Sequence, residues 1–287
     1  MIKEPVIIRD LRTGDIECAM NLVLAEGWNQ TPTDWQLFIK NRLNKCKVAE
    51  IEEKLVGTAC TINYSNNITW ISMILVNKKY RRQGISTILL KSILHEINNH
   101  KIVKLDATPS GQPLYEKFGF SDEYQVLNLV NTSYENLPNT DFEIVPQLIT
   151  KKDIPAIIQF DKCTFGADRT NLIQSLLSEY PERSWIIKHG NKITGFALGR
   201  KGNKYHRIGP VSTQSLIEAK ILFYHALKNL FGQPVVCDIP EFNPEFIQWL
   251  TSMGFVKQRY FTRMFKNKDQ LASGIKGQFA ISGPEFG

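Results

Sequence analysis

The chain has 287 residues, of which 43% are hydrophobic and 22% charged, and its formal net charge is +7 at pH 7. Such a composition is typical of a globular protein of one large or two ordinary domains, and no apolar run is long enough to span a bilayer. The five cysteines include no Cys-x-x-Cys pair, and the first residues lack the apolar core of a signal peptide. We therefore expect a cytoplasmic protein without a disulfide framework, a metal site or a membrane partner.

The first half of the chain alternates predicted helices and strands. A helix is predicted from about Asp15, and a second one over "TPTDWQLFIKNRL", with Thr31 or Thr33 as its cap. Two strands around a charged turn follow in "KVAEIEEKLVGTACTINY". The run "NITWISMILV" has the low polarity of a central strand that is buried on both faces. A long amphipathic helix, a strand at "KIVKLDAT", a short helix at "QPLYEKF" and a last strand at "YQVLNLV" complete this half.

The second half repeats this order after a polar, turn-rich stretch between Asn131 and Asp141, which is the predicted linker. "NKITGFAL" is similar to "EKLVGTAC", and "LTSMGF" is similar to "YEKFGF", at nearly equal offsets along the chain. Two such matches indicate a tandem duplication. The predicted domains are residues 1–132 and 143–287, and the apolar tail "GQFAISGPEFG" is predicted to dock as an extended segment.

The most informative stretch lies between the central strand and the long helix. It reads Arg81-Arg82-Gln83-Gly84-Ile85-Ser86. A helix start has unpaired N–H groups and partial positive charge, both of which favour phosphate. Gly84 lets the backbone approach a ligand closely, and the arginines add positive charge. On this stretch alone, a phosphate site and an ordinary turn with solvated arginines are equal alternatives.

The same stretch resembles motif A of the GNAT superfamily of N-acetyltransferases, whose pattern is Q/R-x-x-G-x-G/A, with Ser86 in place of the final small residue. "LYEKFGF" resembles motif B of that family, and "EGWN", "FGADR" and "IGPV" are typical of its tandem members. The resemblance implies an α/β (α+β) fold of two tandem GNAT-like domains. Each would be a mixed, mostly antiparallel sheet flanked by helices.

The resemblance also implies a site for acetyl-CoA in the first half, as the acyl donor. The strand end would pair with the pantetheine arm, and the loop and helix start would hold the pyrophosphate. The residues concerned are Ile74, Leu75, Val76, Arg81, Arg82, Gln83, Gly84, Ile85, Ser86 and Thr87. Tyr115 would donate a proton to the departing thiolate as a general acid; its alternative role is packing against the sheet.

The second half lacks the phosphate-binding loop and the tyrosine that the resemblance implies for the first half. Leu250 stands in the place of Tyr115, and "IGPVSTQSLIEAK" has no arginine and no glycine after Pro210. The resemblance therefore implies a degenerate C-terminal domain. Three roles are open for it: covering the active site, holding the acceptor, or packing.

The acceptor is the least defined part of the prediction. Glu26, Trp28, Asn29, Asp34 and Asp106 are the predicted substrate residues, and three of them, Glu26, Asp34 and Asp106, are options for the base that takes the proton of the amine. The predicted activity is acetyl transfer to a primary amine of a small molecule or amino acid. The alternative is an acyl-CoA sensor without turnover. No nucleic-acid-binding motif is present, and a monomer or small homo-oligomer is expected.

Overall fold

The computed structural model describes residues 5–64, 68–97, 102–133, 142–267 and 277–287. Its strands are β1 Ile7–Asp10, β2 Cys46–Ile51, β3 Lys54–Tyr64, β4 Ile68–Val76, β5 Ile102–Ala107, β6 Ser121–Asn131, β7 Gln147–Leu148, β8 Trp185–His189, β9 Lys192–Lys201, β10 His206–Thr213, β11 Val235–Pro240, β12 Val256–Lys266 and β13 Gln278–Ala280. Its α-helices are α1 Ile16–Ala25, α2 Pro32–Lys40, α3 Ile85–Glu96, α4 Gln112–Lys117, α5 Ile154–Phe165, α6 Thr170–Glu179, α7 Leu216–Leu227 and α8 Pro244–Ser252.

The predicted start of α2 is confirmed down to its cap. The Thr31 hydroxyl accepts a hydrogen bond from the Asp34 N–H, and the Asp34 carboxylate accepts one from the Thr31 N–H at 2.7 Å. This reciprocal pair satisfies N–H groups that the helix itself leaves unpaired. Pro32 occupies the first turn, where its missing N–H costs nothing.

The predicted repeat is confirmed by the order of elements. The series β2, β3, β4, α3, β5, α4 in the first half recurs as β8, β9, β10, α7, β11, α8 in the second. In both halves the first three strands are antiparallel neighbours, and the third and fourth strands are a parallel pair. The predicted linker lies mostly outside the described residues, so the division at 132 and 143 stays a prediction.

All the strands of the described residues belong to one mixed sheet, in the order β1-β2-β3-β4-β5-β12-β6-β11-β10-β9-β8-β7, with β13 on β10. The halves exchange their last long strands. β12 lies beside β5 of the first half, and β6 lies beside β11 of the second half. β12 and β6 are themselves antiparallel neighbours, from Val256↔Val130 to Phe265↔Ser121. The sheet therefore continues across the junction of the halves, with two register shifts in the β12–β6 pair.

The helices cover both faces of this sheet and enclose apolar cores. On one face a single buried cluster combines Val23 and Trp35 of the first half with Ile157 and Phe165 of the second. On the other face each half has a cluster of its own, under α3 in the first and between α7 and α8 in the second. Burial of apolar surface in the shared cluster holds the halves together.

The predicted docking of the C-terminal tail is confirmed. Strand β13 pairs with β10, and Phe286 is fully buried in the shared cluster. No helix of the described residues is long and apolar enough to cross a membrane.

Candidate active site

The site begins where the parallel strands β4 and β5 separate. Among the described residues their pairing covers Ile68–Trp70 on β4 and Ile102–Lys104 on β5. Beyond Trp70 and Lys104, the described pairings of β4 are with β3 and those of β5 are with β12. Each strand therefore presents one edge of backbone N–H and C=O groups to a wedge-shaped gap. An extended ligand with amide groups can pair with such an edge.

A β-bulge in β4 accompanies this separation. Met73 has a φ of +53°, and the register between β3 and β4 shifts between Thr58 and Cys60. The Thr58 hydroxyl donates to the Met73 carbonyl at 2.8 Å and holds the bulge in place. Because a bulge bends and twists its strand, it directs the end of β4 away from β5. The predicted donor-binding residues Ile74, Leu75 and Val76 follow directly after it.

The loop from β4 to α3 ends in a helix start that has no internal cap. Gly84 is the N-cap residue with φ +82°, and neither a side-chain cap nor an acidic residue in the first turn is present. A Cβ on Gly84 would meet open space, so it is the left-handed backbone and not crowding that favours glycine. The N–H groups at the start of α3 have no partner within the helix and carry the positive end of its dipole. These features fit a phosphate group.

The arginines of this loop play different parts. The Arg81 guanidinium lies 2.5 Å from the Glu26 carboxylate and also donates to the Val76 carbonyl at 3.1 Å. It thus ties the loop to the end of α1. Arg82 is exposed, with φ +61°, and has no ion pair among the described residues. Its charge is available to an anionic ligand.

Tyr115 lies on α4, on the same face of the sheet as α3. Its ring contacts Phe120 edge-on at 6.0 Å between ring centroids, within the apolar cluster under α3. Its side chain is partly accessible, and within the described part of the chain its hydroxyl has no hydrogen-bond partner. The apolar surroundings raise the pKa of Tyr115, because they disfavour the phenolate. The phenol is therefore protonated at neutral pH and able to donate.

The predicted substrate residues are mostly engaged in contacts within the protein. Glu26 pairs with Arg81, as described above. Asn29 is held by the β9–β10 turn: its side chain accepts from the N–H groups of Lys204 and Tyr205, both at 2.9 Å. Trp28 is half-buried against the shared core.

The two aspartates are also paired. Asp34 is buried with its carboxylate 2.6 Å from the Arg200 guanidinium. The side chain of Asp106 is buried and accepts two hydrogen bonds from Arg263, at 2.8 and 2.9 Å. Burial raises the pKa of each aspartate, and the neighbouring arginine opposes that rise. The structure does not bring the five predicted substrate residues together in one pocket.

A cavity of about 530 Å³ lies on the α1 side of the sheet, next to this loop. It is bounded by the end of α1, the β2–β3 turn, the end of β4 and the start of the loop, and its lining is mainly apolar with lysines among its walls. Glu26, Leu75 and Val76 are the predicted site residues that line it. The volume falls in the range of small-molecule sites.

Sequence reasoning missed the arginines of the second half, Arg200 and Arg263, because their partners lie far away along the chain. Arg200 follows the apolar run "GFALG" of β9, where an unpaired charge would be costly to bury, whereas β12 holds other charged residues and gave no such signal for Arg263. No group of three or more metal-ligating side chains is found among the residues that the structure describes.

A mixed sheet with a splayed parallel pair, followed by a glycine-initiated helix start without a side-chain cap, defines an α/β protein whose site geometry fits a phosphate group. Two family models, both described as "Acetyltransferase (GNAT) domain", match residues 23–127 and residues 157–280. The chain belongs to the GNAT family of acetyltransferases and carries two such domains in tandem, and it is thus an acyltransferase by family.

Individual relatives agree with this assignment. The holothin acyltransferase of Pseudoalteromonas sp. (strain SANK 73390) is 25% identical over 265 residues, which cover 92% of this chain and 88% of that one. The crystal structure of a putative acetyltransferase from Pyrococcus horikoshii has a TM-score of 0.81 at 22% identity, covering 100% of this chain and 98% of the other. A tandem GNAT protein from the clavulanic acid biosynthesis pathway has a TM-score of 0.65 at 12% identity, covering 93% and 100%. The two structural matches show a shared fold.

Proposed function

We propose that the protein is an N-acyltransferase that moves an acetyl group from acetyl-CoA to a primary amine of a small molecule or amino acid. The observation that carries this proposal is the uncapped, glycine-initiated start of α3 beside the gap between β4 and β5. The backbone of Ile74, Leu75 and Val76 would pair with the pantetheine amides. The N–H groups from Arg82 to Thr87, with the Arg82 side chain, would hold the pyrophosphate.

Acetyl-CoA supplies the acetyl group as a thioester: the amine nitrogen forms a bond to the carbonyl carbon, and the bond to sulfur breaks. Tyr115 gives its phenolic proton to the departing sulfur, and the phenolate then regains a proton from solvent. The free hydroxyl and the raised pKa of Tyr115 keep that proton in place until it is needed. Packing against Phe120 fixes the direction of the ring.

The proton of the attacking amine must also leave. Glu26, Asp34 and Asp106 are each paired with a guanidinium group, so none of the three carboxylates is free to approach an amine. We therefore assign the removal of this proton to solvent. The name of the holothin acyltransferase, together with a cavity of about 530 Å³, supports a small-molecule acceptor.

The decisive experiment on donor binding is Gly84→Glu. Glutamate would place a negative charge where the diphosphate must lie, and its side chain would be strained by the positive φ of this position. We therefore expect affinity for acetyl-CoA to fall by about 100-fold or more, equivalent to nearly 3 kcal/mol. Isothermal titration calorimetry measures this directly. Gly190→Glu is the matched control, because Gly190 also has a positive φ (+60°) and open space at its Cβ. Equal affinity in the two variants would refute the phosphate site.

A sensor that binds acyl-CoA without turnover is the second candidate, favoured by the engagement of all three carboxylates in ion pairs. Release of free thiol from acetyl-CoA in the presence of a library of primary amines separates the two functions. We expect amine-dependent release. Tight acetyl-CoA binding without release for any amine would support the sensor.

A further inference from the structure

The second half contains a gap equivalent to the one between β4 and β5. The parallel pairing of β10 and β11 covers only His206↔Val235 and Arg207↔Val236 and then ends. A register shift between Ile208 and Val211 follows, in the position of the β4 bulge. The geometry that makes the first gap a slot for an extended ligand is therefore repeated.

The second slot is filled by the C-terminal tail of the chain. Strand β13 pairs antiparallel with the free edge of β10, with Ala280 opposite Val211 and Gln278 opposite Ser212. On β10, the Thr213 N–H donates to the Gly277 carbonyl at 2.9 Å, and on the other side the Ile281 N–H donates to the Asp238 carbonyl of β11 at 3.0 Å. The tail thus bridges both walls, as an extended ligand with amide groups would.

The tail fits this slot closely. A Cβ on Gly209 of β10 would collide with the Ile281 carbonyl oxygen, so the approach of the two backbones requires glycine there. The Asn243 side chain donates to the Gln278 carbonyl at 2.8 Å, and the Gln278 side chain donates to the Thr164 carbonyl, also at 2.8 Å. Ala280 and Ile281 are almost fully buried.

The helix start beside this slot is also closed. Only residues 214–215 connect β10 to α7, whereas residues 77–84 connect β4 to α3. The Ser215 hydroxyl caps α7 by accepting from the Glu218 N–H. The buried Glu218 carboxylate in the first turn accepts from Thr194 at 2.8 Å and from Thr213 at 2.5 Å. An internal carboxylate thus supplies the negative charge that a phosphate would bring.

Beyond the slot, the tail continues onto the first half. The Trp70 indole N–H of β4 donates to the Pro284 carbonyl, and the Tyr64 hydroxyl of β3 donates to the Phe286 carbonyl, both at 2.9 Å. The Phe286 ring stacks on Phe38 with 5.5 Å between centroids. The segment therefore touches the strand that carries the proposed donor site.

We propose that residues 277–287 are a permanent intrachain ligand that closes the second slot to acyl-CoA and braces β4 of the first half. The chain then holds one acyl donor, in the first slot. This inference rests on the proposed function, because it assigns the donor to the β4–β5 gap.

A reversible covalent lock tests this inference on the full chain. Val211→Cys and Ala280→Cys place thiols on directly opposed residues of β10 and β13, in a Cys237→Ala background that removes the buried thiol of β11. The reduced form of the same protein is the control for the substitutions. We expect the oxidised and reduced forms to bind one acetyl-CoA per chain by native mass spectrometry. Their affinities and turnover should agree within about twofold.

A second acetyl-CoA bound by the unmodified protein would overturn the inference, and so would a tenfold or greater loss of turnover on oxidation that reduction restores. Hydrogen exchange of the Thr213 and Ile281 amides, measured without any ligand, separates this inference from the proposed function. Slow exchange supports a docked tail even if acetyl-CoA fails to bind, which would refute only the donor site. Exchange as fast as in an unstructured peptide would contradict the permanent ligand.

Discussion

Tyr115 is the residue to which we assign the proton donation, and its surroundings change how easily its phenol ionises. A phenol in water and a phenol in this apolar cluster differ in how easily they ionise, and burial favours the protonated form. Within the described residues, its hydroxyl has no internal acceptor that would compete with a ligand.

The first prediction at the residue scale is that Tyr115→Phe lowers turnover by roughly 10²- to 10⁴-fold, the usual scale for a general acid. The ring and its packing on Phe120 are kept, so affinity for acetyl-CoA should change little. Steady-state kinetics with a saturating acceptor and calorimetry with acetyl-CoA measure the two effects. Tyr224→Phe, on α7 of the second half, is the control and should keep full turnover. Full turnover in Tyr115→Phe with chemistry rate-limiting would make Tyr115 structural.

The pH profile offers an independent check on Tyr115. Since burial raises its pKa above the ordinary value of about 10, the active, protonated form persists through neutral and moderately basic pH. We expect no fall in kcat from phenol ionisation between pH 7 and about 10. A basic limb with an apparent pKa below about 9 that disappears in Tyr115→Phe would contradict this assignment.

At the scale of elements, the exchanged strand β12 is fixed by charge as well as by backbone pairing. Arg263 of β12 binds Asp106 of β5 through two hydrogen bonds and donates to the Tyr124 hydroxyl of β6 at 2.7 Å. The guanidinium also lies over the Trp70 ring, at 4.6 Å from its centroid. A buried charge with these partners specifies which strand lies at this position, because a shifted register would leave it unpaired.

We predict that Asp106→Ala lowers the free energy of unfolding by about 3–5 kcal/mol, because it leaves the Arg263 charge buried and unpaired. The double variant Asp106→Leu with Arg263→Met should recover most of this loss, since both charges are then absent. Urea denaturation of the variants measures the difference. The exposed pair Lys54–Glu52, with 3.9 Å between its charged atoms, is the control, and Lys54→Ala should leave stability unchanged. A double variant as unstable as Asp106→Ala would show that the charge is not the cause.

At the scale of the whole molecule, the halves depend on each other for backbone hydrogen bonds. Without β12, one edge of β5 in the first half would have unpaired backbone N–H and C=O groups. Without β6, one edge of β11 in the second half would have them as well. A third contribution comes from the buried chain of charges Asp34–Arg200–Glu285, which joins α2, β9 and the tail. These links cross the proposed boundary between 132 and 143.

We therefore predict that residues 1–132 expressed alone will be insoluble or unfolded, because the unpaired edge of β5 is an aggregation site. Co-expression with residues 143–287 should restore a complex through pairing of β6 with β11 and of β12 with β5. Co-purification and circular dichroism measure the outcome, and the unsplit chain is the control. A folded, active first half on its own would argue against mutual dependence.

The local features of the fold could be predicted from the amino-acid sequence. The capped start of α2, the apolar strand β4, the glycine at the start of α3 and the repeat of elements all follow from side-chain periodicity and capping chemistry, which act over a few residues. The same local signals predicted the short helix at "QPLYEKF", which is α4 in the structure, whereas the role of Tyr115 was implied by the family resemblance. The family's motifs could be read for the same reason.

Which strands become neighbours is visible only in the tertiary structure. The same holds for the ion-pair partners of several predicted site residues. Backbone hydrogen bonds are nearly independent of sequence, so nothing in "YQVLNLV" shows that it pairs with β11 of the other half. For the same reason the tail could be predicted to dock but not to enter the β10–β11 slot. The partners of Asp34 and Asp106 lie 166 and 157 residues away. Such pairs depend on the long-range path of the chain, which local patterns do not encode.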